Sequence, residues 1–134
     1  MEVVATDATL EEVFIRGALG VLALAVDPGS VEGRDVREVR AHGPTAEALL
    51  AHWISECLYL LDIEGFVCQR LELAVFDSTS KPGGEPLRLH SVVHGEELDP
   101  ARHRPKAAIK AAAPEDISIR AFGGGYEARI MVEV

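Results

Sequence analysis

The segment from Thr45 to Asp62 constrains this chain most. Ala46, Leu49, Leu50, Trp53, Ile54, Cys57, Leu58 and Leu61 recur there at helical spacing. They form a stripe too wide for a helix that meets water on most sides. Such a helix has to lie against a large apolar surface, and Thr45 is placed to cap its first turn. Glu64-Gly65 ends it.

A second helix opens at Thr9-Leu10-Glu11-Glu12, where Thr9 can cap a free N–H and Glu12 can reach back. Leu10, Val13, Phe14, Gly17, Val21, Leu24 and Ala25 follow the helical period, and Asp27-Pro28-Gly29 stops it. Gly17 and Gly20 lower helix stability, so this helix is expected to press closely on another element.

The remaining segments read as strands. Glu2–Ala5 is a short one, and Val31–Ala41 is a second, with a turn at Glu32-Gly33-Arg34 and a break at His42-Gly43-Pro44. Phe66–Phe76 and Leu87–His94 flank a polar, Gly- and Pro-rich hairpin connection, Asp77–Pro86, expected to be mobile. Gly95–Pro105 reads as a charged loop. Lys106–Ala112, Ile117–Phe122 and Tyr126–Val134 complete the strands, the last alternating Tyr126, Ala128, Ile130, Val132 and Val134 on one face. Hairpin spacing at the end implies antiparallel pairing. The fold class is α+β: mainly antiparallel sheet with two α-helices packed on its apolar face.

The 134 residues suit one domain, residues 1–134, with one core. A net charge of −9 opposes non-specific binding to nucleic acid. Cys57 and Cys68 lack metal-type spacing and read as reduced thiols filling apolar space. Met1-Glu2 is unlike the start of a signal peptide, and Ala18–Val26 is too short to span a bilayer. A cytoplasmic protein without a membrane association is expected.

The chemistry-bearing residues give few motifs. His90 and His94 lie on one strand, about 13 Å apart at about 3.3 Å per residue, too far for one ion. Gly123-Gly124-Gly125 precedes a strand rather than a helix, so it reads as a hairpin turn and not a phosphate loop. Ser30, Ser55, Ser78, Ser80, Ser91 and Ser118 have no nucleophile motif around them. Arg102-His103-Arg104-Pro105-Lys106 is the one basic run, a candidate contact for phosphate or an acidic partner as well as an ordinary solvated loop. Lys110 stands among Ala and Ile residues and must reach out to solvent or find a partner. Glu133 and the carboxylate of Val134 are two hard oxygen donors, too few alone for Ca²⁺ or Mg²⁺.

Several stretches together resemble the archease family. They are Thr9–Phe14 with Ala18-Leu19-Gly20; Leu49–Leu60 followed by Asp62–Phe66; Gly95-Glu96-Glu97-Leu98-Asp99 with Arg102-His103; Ile109-Lys110-Ala111; and Gly125–Arg129 with the strand to the end. The resemblance runs over nearly the whole chain. It implies a non-catalytic protein cofactor of the RtcB-type RNA ligase, which seals RNA ends in tRNA splicing and repair. Archeases speed guanylylation of that ligase and support its turnover. The resemblance also implies an essential lysine, here Lys110, and a divalent-metal site using the last two residues, here Glu133 and Val134, with an N-terminal Asp. That Asp belongs to a His-Thr-Ala-Asp motif which, counted back from Thr9, falls before Met1; the penultimate residue is Glu133 where the family usually has Asp. Metal binding by the residues present is therefore expected to be weak. Two other readings remain open from the residues alone: a small-molecule enzyme with a spatially assembled site, and a pure protein-interaction module.

Overall fold

The computed structural model describes residues 1–79, 83–110 and 112–134. Ser80, part of the connection after Asp77, and Ala111 lie outside them. The elements run β1 (Glu2–Asp7), α1 (Leu10–Ala25), β2 (Asp35–Gly43), α2 (Ala46–Asp62), β3 (Phe66–Asp77), β4 (Leu87–Glu97), a one-turn helix α3 (Pro100–His103), β5 (Ile117–Phe122) and β6 (Gly125–Met131). Single 3₁₀ turns occur at Pro28–Ser30 and Pro114–Asp116.

The strands divide into two antiparallel sheets, ordered β1-β6-β5 and β2-β4-β3. α1 packs on β1 and β6 of one sheet and on β3 of the other, while α2 packs on β2, β3 and β4 and also reaches β5. The helices therefore serve both sheets, and one continuous core results. Both expected helix starts are present: Thr9 Oγ1 accepts the Glu12 N–H at 3.2 Å, and Thr45 Oγ1 accepts the Ala48 N–H at 3.1 Å. Trp53, Phe14, Leu49, Leu50 and Ile54 are completely enclosed. The Trp53 indole N–H donates to Ser91 Oγ at 2.9 Å, and Ser91 in turn donates to the Val39 carbonyl, so neither buried polar group is left unpaired.

The two helical glycines are where close approach was expected. A Cβ at Gly17 would lie 3.0 Å from Ile130 Cδ1, and one at Gly20 would lie 2.8 Å from Val3 Cγ1. α1 thus sits directly on β6 and β1. Gly123 and Gly124 have φ of 58° and 85° and make the two-residue turn between β5 and β6, as the left-handed geometry of such turns requires.

Several segments differ from the expectation. β2 begins at Asp35, because residues 31–34 leave the 3₁₀ turn without a strand partner, and it runs through His42 and Gly43, which pair with Arg88 and Leu87. β4 extends through Gly95 to Glu97, and Pro100–His103 forms a helical turn capped by Asp99 rather than a plain loop. The described residues of the expected strand Lys106–Ala112 do not form one. They are held by separate bonds, Lys106 N–H to the Ala25 carbonyl at 2.7 Å and Lys110 N–H to the Glu133 carbonyl at 3.0 Å, with Ile109 and Ala112 as apolar anchors. β6 ends at Met131; Ala128, Ile130 and Val132 are buried as the alternation requires, but Tyr126 and Val134 are exposed.

Candidate functional site

Lys110 and Glu133, far apart in sequence, meet at one end of the β1-β6-β5 sheet. The backbone bond from Lys110 to Glu133 sets the approach, and Lys110 Nζ lies 3.2 Å from Glu133 Oε2. Both side chains are more than three-quarters exposed, at 76% and 77%. They line a cleft of about 480 Å³ together with Met1, Asp116 and Met131. Met1 is carried there by two reciprocal bonds: its ammonium donates to the Val132 carbonyl at 3.0 Å, and the Val132 N–H donates to the Met1 carbonyl at 2.8 Å. Val134 is exposed and does not line the cleft.

This cleft was only half legible in the sequence. Asp116 was not singled out; it stands in the Pro114–Asp116 turn that opens β5, where an acidic residue reads as an ordinary turn former. The donor set does not fit a hard divalent cation by itself. Ca²⁺ takes six to eight oxygens and Mg²⁺ six. Here the Glu133 carboxylate faces an ammonium, and among the described residues no three His, Cys, Asp or Glu side chains gather as a metal centre.

The basic run at 102–106 splits. Arg102 donates to Glu96 Oε1 at 2.5 Å, and His103, fully buried, donates from Nε2 to Glu96 Oε2 at 3.1 Å. The second ring nitrogen fixes that tautomer, because His103 Nδ1 accepts the Asp99 N–H at 2.8 Å. The Glu32 N–H also donates to Glu96 Oε2, at 2.6 Å, and Arg34 lies nearby. Gly95–Asp99 and Arg102-His103 are therefore one folded unit around a buried carboxylate. Arg104, with φ of 50°, turns the chain outward, and its side chain and that of Lys106 are exposed.

The Glu32 N–H, then Arg102 and His103, hold the Glu96 carboxyl at about 2, well below the ordinary 4.5. A carboxyl depressed on folding stabilises the fold above its unfolded value, and that stabilisation disappears as pH falls from about 4.5 towards 2. Glu96→Gln should lower the melting temperature at pH 7 and flatten its fall between those pH values. Parallel melting curves for the two proteins across that range would reject this role for Glu96.

The other candidates behave as space-filling or locally paired groups. Cys57 and Cys68 are free thiols. Burial pushes both upward, Cys68 to about 12, so neither is a thiolate at neutral pH. His90 and His94 face different acids, Glu38 at 3.5 Å and Glu72 at 2.9 Å. No helix among the described residues is long and apolar enough to cross a membrane.

Comparison with known proteins accords with this architecture. The chain matches the Archease protein family (MTH1598/TM1083) over residues 1–134. It is 34% identical to the protein archease of Pyrococcus abyssi over 117 residues, covering 87% of this chain and 79% of that one. It is 30% identical to the protein archease of Methanosarcina acetivorans over 126 residues, covering 94% and 84%. The solution structure of Methanobacterium thermoautotrophicum protein 1598 superposes with a TM-score of 0.72 at 22% identity, covering 99% of this chain and 89% of that one. The chain belongs to the archease family.

Proposed function

We propose that this chain is an accessory protein that activates an RtcB-type RNA ligase in tRNA splicing or RNA repair, promoting its guanylylation and turnover in the cytoplasm, without catalysis of its own. The observation that carries the reading is the Lys110–Glu133 pair, solvent-facing at the end of the sheet. An exposed ion pair is held weakly and exchanges easily for another partner. Lys110 would then supply its charge to a phosphate or to a carboxylate of the ligase, and Glu133 would be released towards a basic group or a metal. An accessory protein shifts the ligase towards its guanylylated form only by binding that form, or the transition state leading to it, better.

The test is labelling of a cognate RtcB-type ligase by GTP and Mn²⁺, with and without this protein. The expected result is a higher labelling rate at less than one equivalent of the protein. Met1 lines the cleft, so residues placed before it start at its edge. A version extended upstream with His-Thr-Ala-Asp is therefore the second arm. Unchanged labelling with both versions rejects the proposal.

Divalent metal binding by residues 1–134 should be weak, because Glu133 and Val134 leave most of a coordination shell to water. Calorimetric titration with Ca²⁺, Mg²⁺ and Mn²⁺ is expected to show no tight stoichiometric site. The extended version should bind more strongly. A tight site in residues 1–134 would mean that the metal is held elsewhere.

A further inference from the structure

Most arginines of this acidic protein find a carboxylate. Arg16 meets Asp7, Arg37 meets Asp35, Arg102 meets Glu96, and Arg120 and Arg129 share Glu127. Arg40 and Arg88 do not; among the described residues neither guanidinium has a hydrogen bond or an ion pair. Yet the two lie together. In the β2–β4 ladder Arg40 stands opposite His90, and His42 stands opposite Arg88. Side chains two apart on a strand share a face, so these four form a two-by-two basic block. The intervening Ala41 and Leu89 are buried in the core, which turns the block to the outer face of the β2-β4-β3 sheet.

A cleft of about 440 Å³ opens over this block, with Val75 of β3 as an apolar wall. The His42 ring is braced edge-on against His52, with centroids 4.8 Å apart. His90 Nε2 is buried without a hydrogen bond; its nearest acid is Glu38, 3.5 Å away and largely exposed. Asp77 is in register with Arg88 at the far end of the ladder and has interactions of its own.

Arg40 and Arg88 stand diagonally across the ladder, a spacing that long side chains can bridge. Without a carboxylate partner among the described residues, their two planar guanidinium forks suit an oxyanion that they can grip together. A polyanion laid along the protein would run from the cleft onto a surface of net charge −9, so what the cleft itself holds is one compact phosphate, free or at a strand end. We infer that the cleft binds a phosphate monoester of nucleotide size, gripped by Arg40 and Arg88, with His42 and His90 as further donors and Val75 against the esterified group. The phosphate can belong to a free nucleotide or to the end of a single RNA strand. The inference concerns binding by this chain alone and does not rest on ligase activation.

The test is a ¹⁵N NMR titration of the protein with guanosine 5′-monophosphate, and with a short single-stranded oligoribonucleotide carrying or lacking a 5′-phosphate. Shifts are expected at Arg40, His42, Val75, Arg88 and His90. Arg40→Gln and Arg88→Gln should each weaken binding about tenfold, the usual worth of a charge-assisted contact, and the double variant should abolish it. Arg70→Gln, on the same sheet but outside the cleft, should leave it unchanged. Stronger binding of the mononucleotide assigns the phosphate to a free nucleotide, and stronger binding of the phosphorylated strand assigns it to an RNA end. The inference is overturned if millimolar probes cause no shifts at the cleft, if the double variant binds as well as wild type, or if the strand lacking the phosphate binds equally.

Discussion

Gly95→Ala is expected to lower folding stability by more than about 3 kcal/mol, above the usual cost of overpacking. The reason is contact, not backbone freedom. Gly95 sits in the central strand β4, between Asp35 of β2 and Cys68 of β3. A Cβ there would lie 1.8 Å from the Val67 carbonyl oxygen and 3.1 Å from Phe66 Cε1. A flexible side chain could give way; a backbone carbonyl next to the register shift at Cys68–Arg70 cannot move without unpairing β3. The disturbance would also reach the next residue, Glu96, and the groups it holds. Gly124→Ala is the matched control. It has open space around it and φ of 85°, so only the left-handed backbone counts against alanine, about 1–2 kcal/mol. Urea unfolding of both variants should rank Gly95→Ala well below Gly124→Ala. The reverse order would show that β3 and β4 are not packed as closely as described.

Lys110→Ala should remove ligase stimulation and leave the fold untouched. The side chain is 76% exposed and its only partner among the described residues is the equally exposed Glu133, so the ion pair adds little to stability. The Lys110 backbone bond to Glu133 survives the substitution. The expected stability change is within about 0.5 kcal/mol, as for most surface substitutions. A charge-assisted contact with the ligase or its nucleotide, by contrast, is worth about 1.5–3 kcal/mol, or roughly 10- to 100-fold in stimulation. The measurement is the labelling rate of the ligase beside a thermal melt of the variant. A melting temperature that falls in step with activity would make Lys110 structural. Full stimulation by the variant would remove it from the mechanism.

Local signals carried much of the fold into view. Thr9 and Thr45 cap helices where the capping pattern places them, because a side-chain oxygen next to free N–H groups needs no tertiary help. Ile117–Phe122 and the Gly123-Gly124 turn were equally legible. The expected strand Lys106–Ala112 was not, because its composition suits a strand while its described residues pair with no strand of either sheet. The site divides in the same way. The adjacency of Arg102, His103, Arg104 and Lys106 suggested one basic patch, but sequence does not say which way a side chain points. Two of the four turn inward to Glu96, and that carboxylate has no local signal to mark it. The Arg40–Arg88 cleft is invisible in the sequence, since it exists only once β2 and β4 are in register. Lys110 and Glu133 stood out singly in the sequence, one by its apolar neighbours and the other by its place beside the last carboxylate; the family resemblance gave them roles, and their contact needed the fold.

The union of Met1 with Val132, and of Glu2 with Met131 beside it, also sets a timetable. On the ribosome, β1 (Glu2–Asp7) is made long before its partner β6 (Gly125–Met131). The β2-β4-β3 sheet and α2 come from residues 35–97 and have shorter loops to close, whereas β1 must wait for the loop of residues 8–124. At a synthesis rate of about 5–20 residues per second, that wait is roughly ten seconds. Throughout it, the apolar run Val3, Val4 and Ala5 lacks the β6 partner it has in the fold, and an unpaired apolar strand-former is the kind of template that pairs with the wrong chain. Nascent chains stalled before β6 should therefore be the aggregation-prone species of this protein, and the ones most in need of a chaperone.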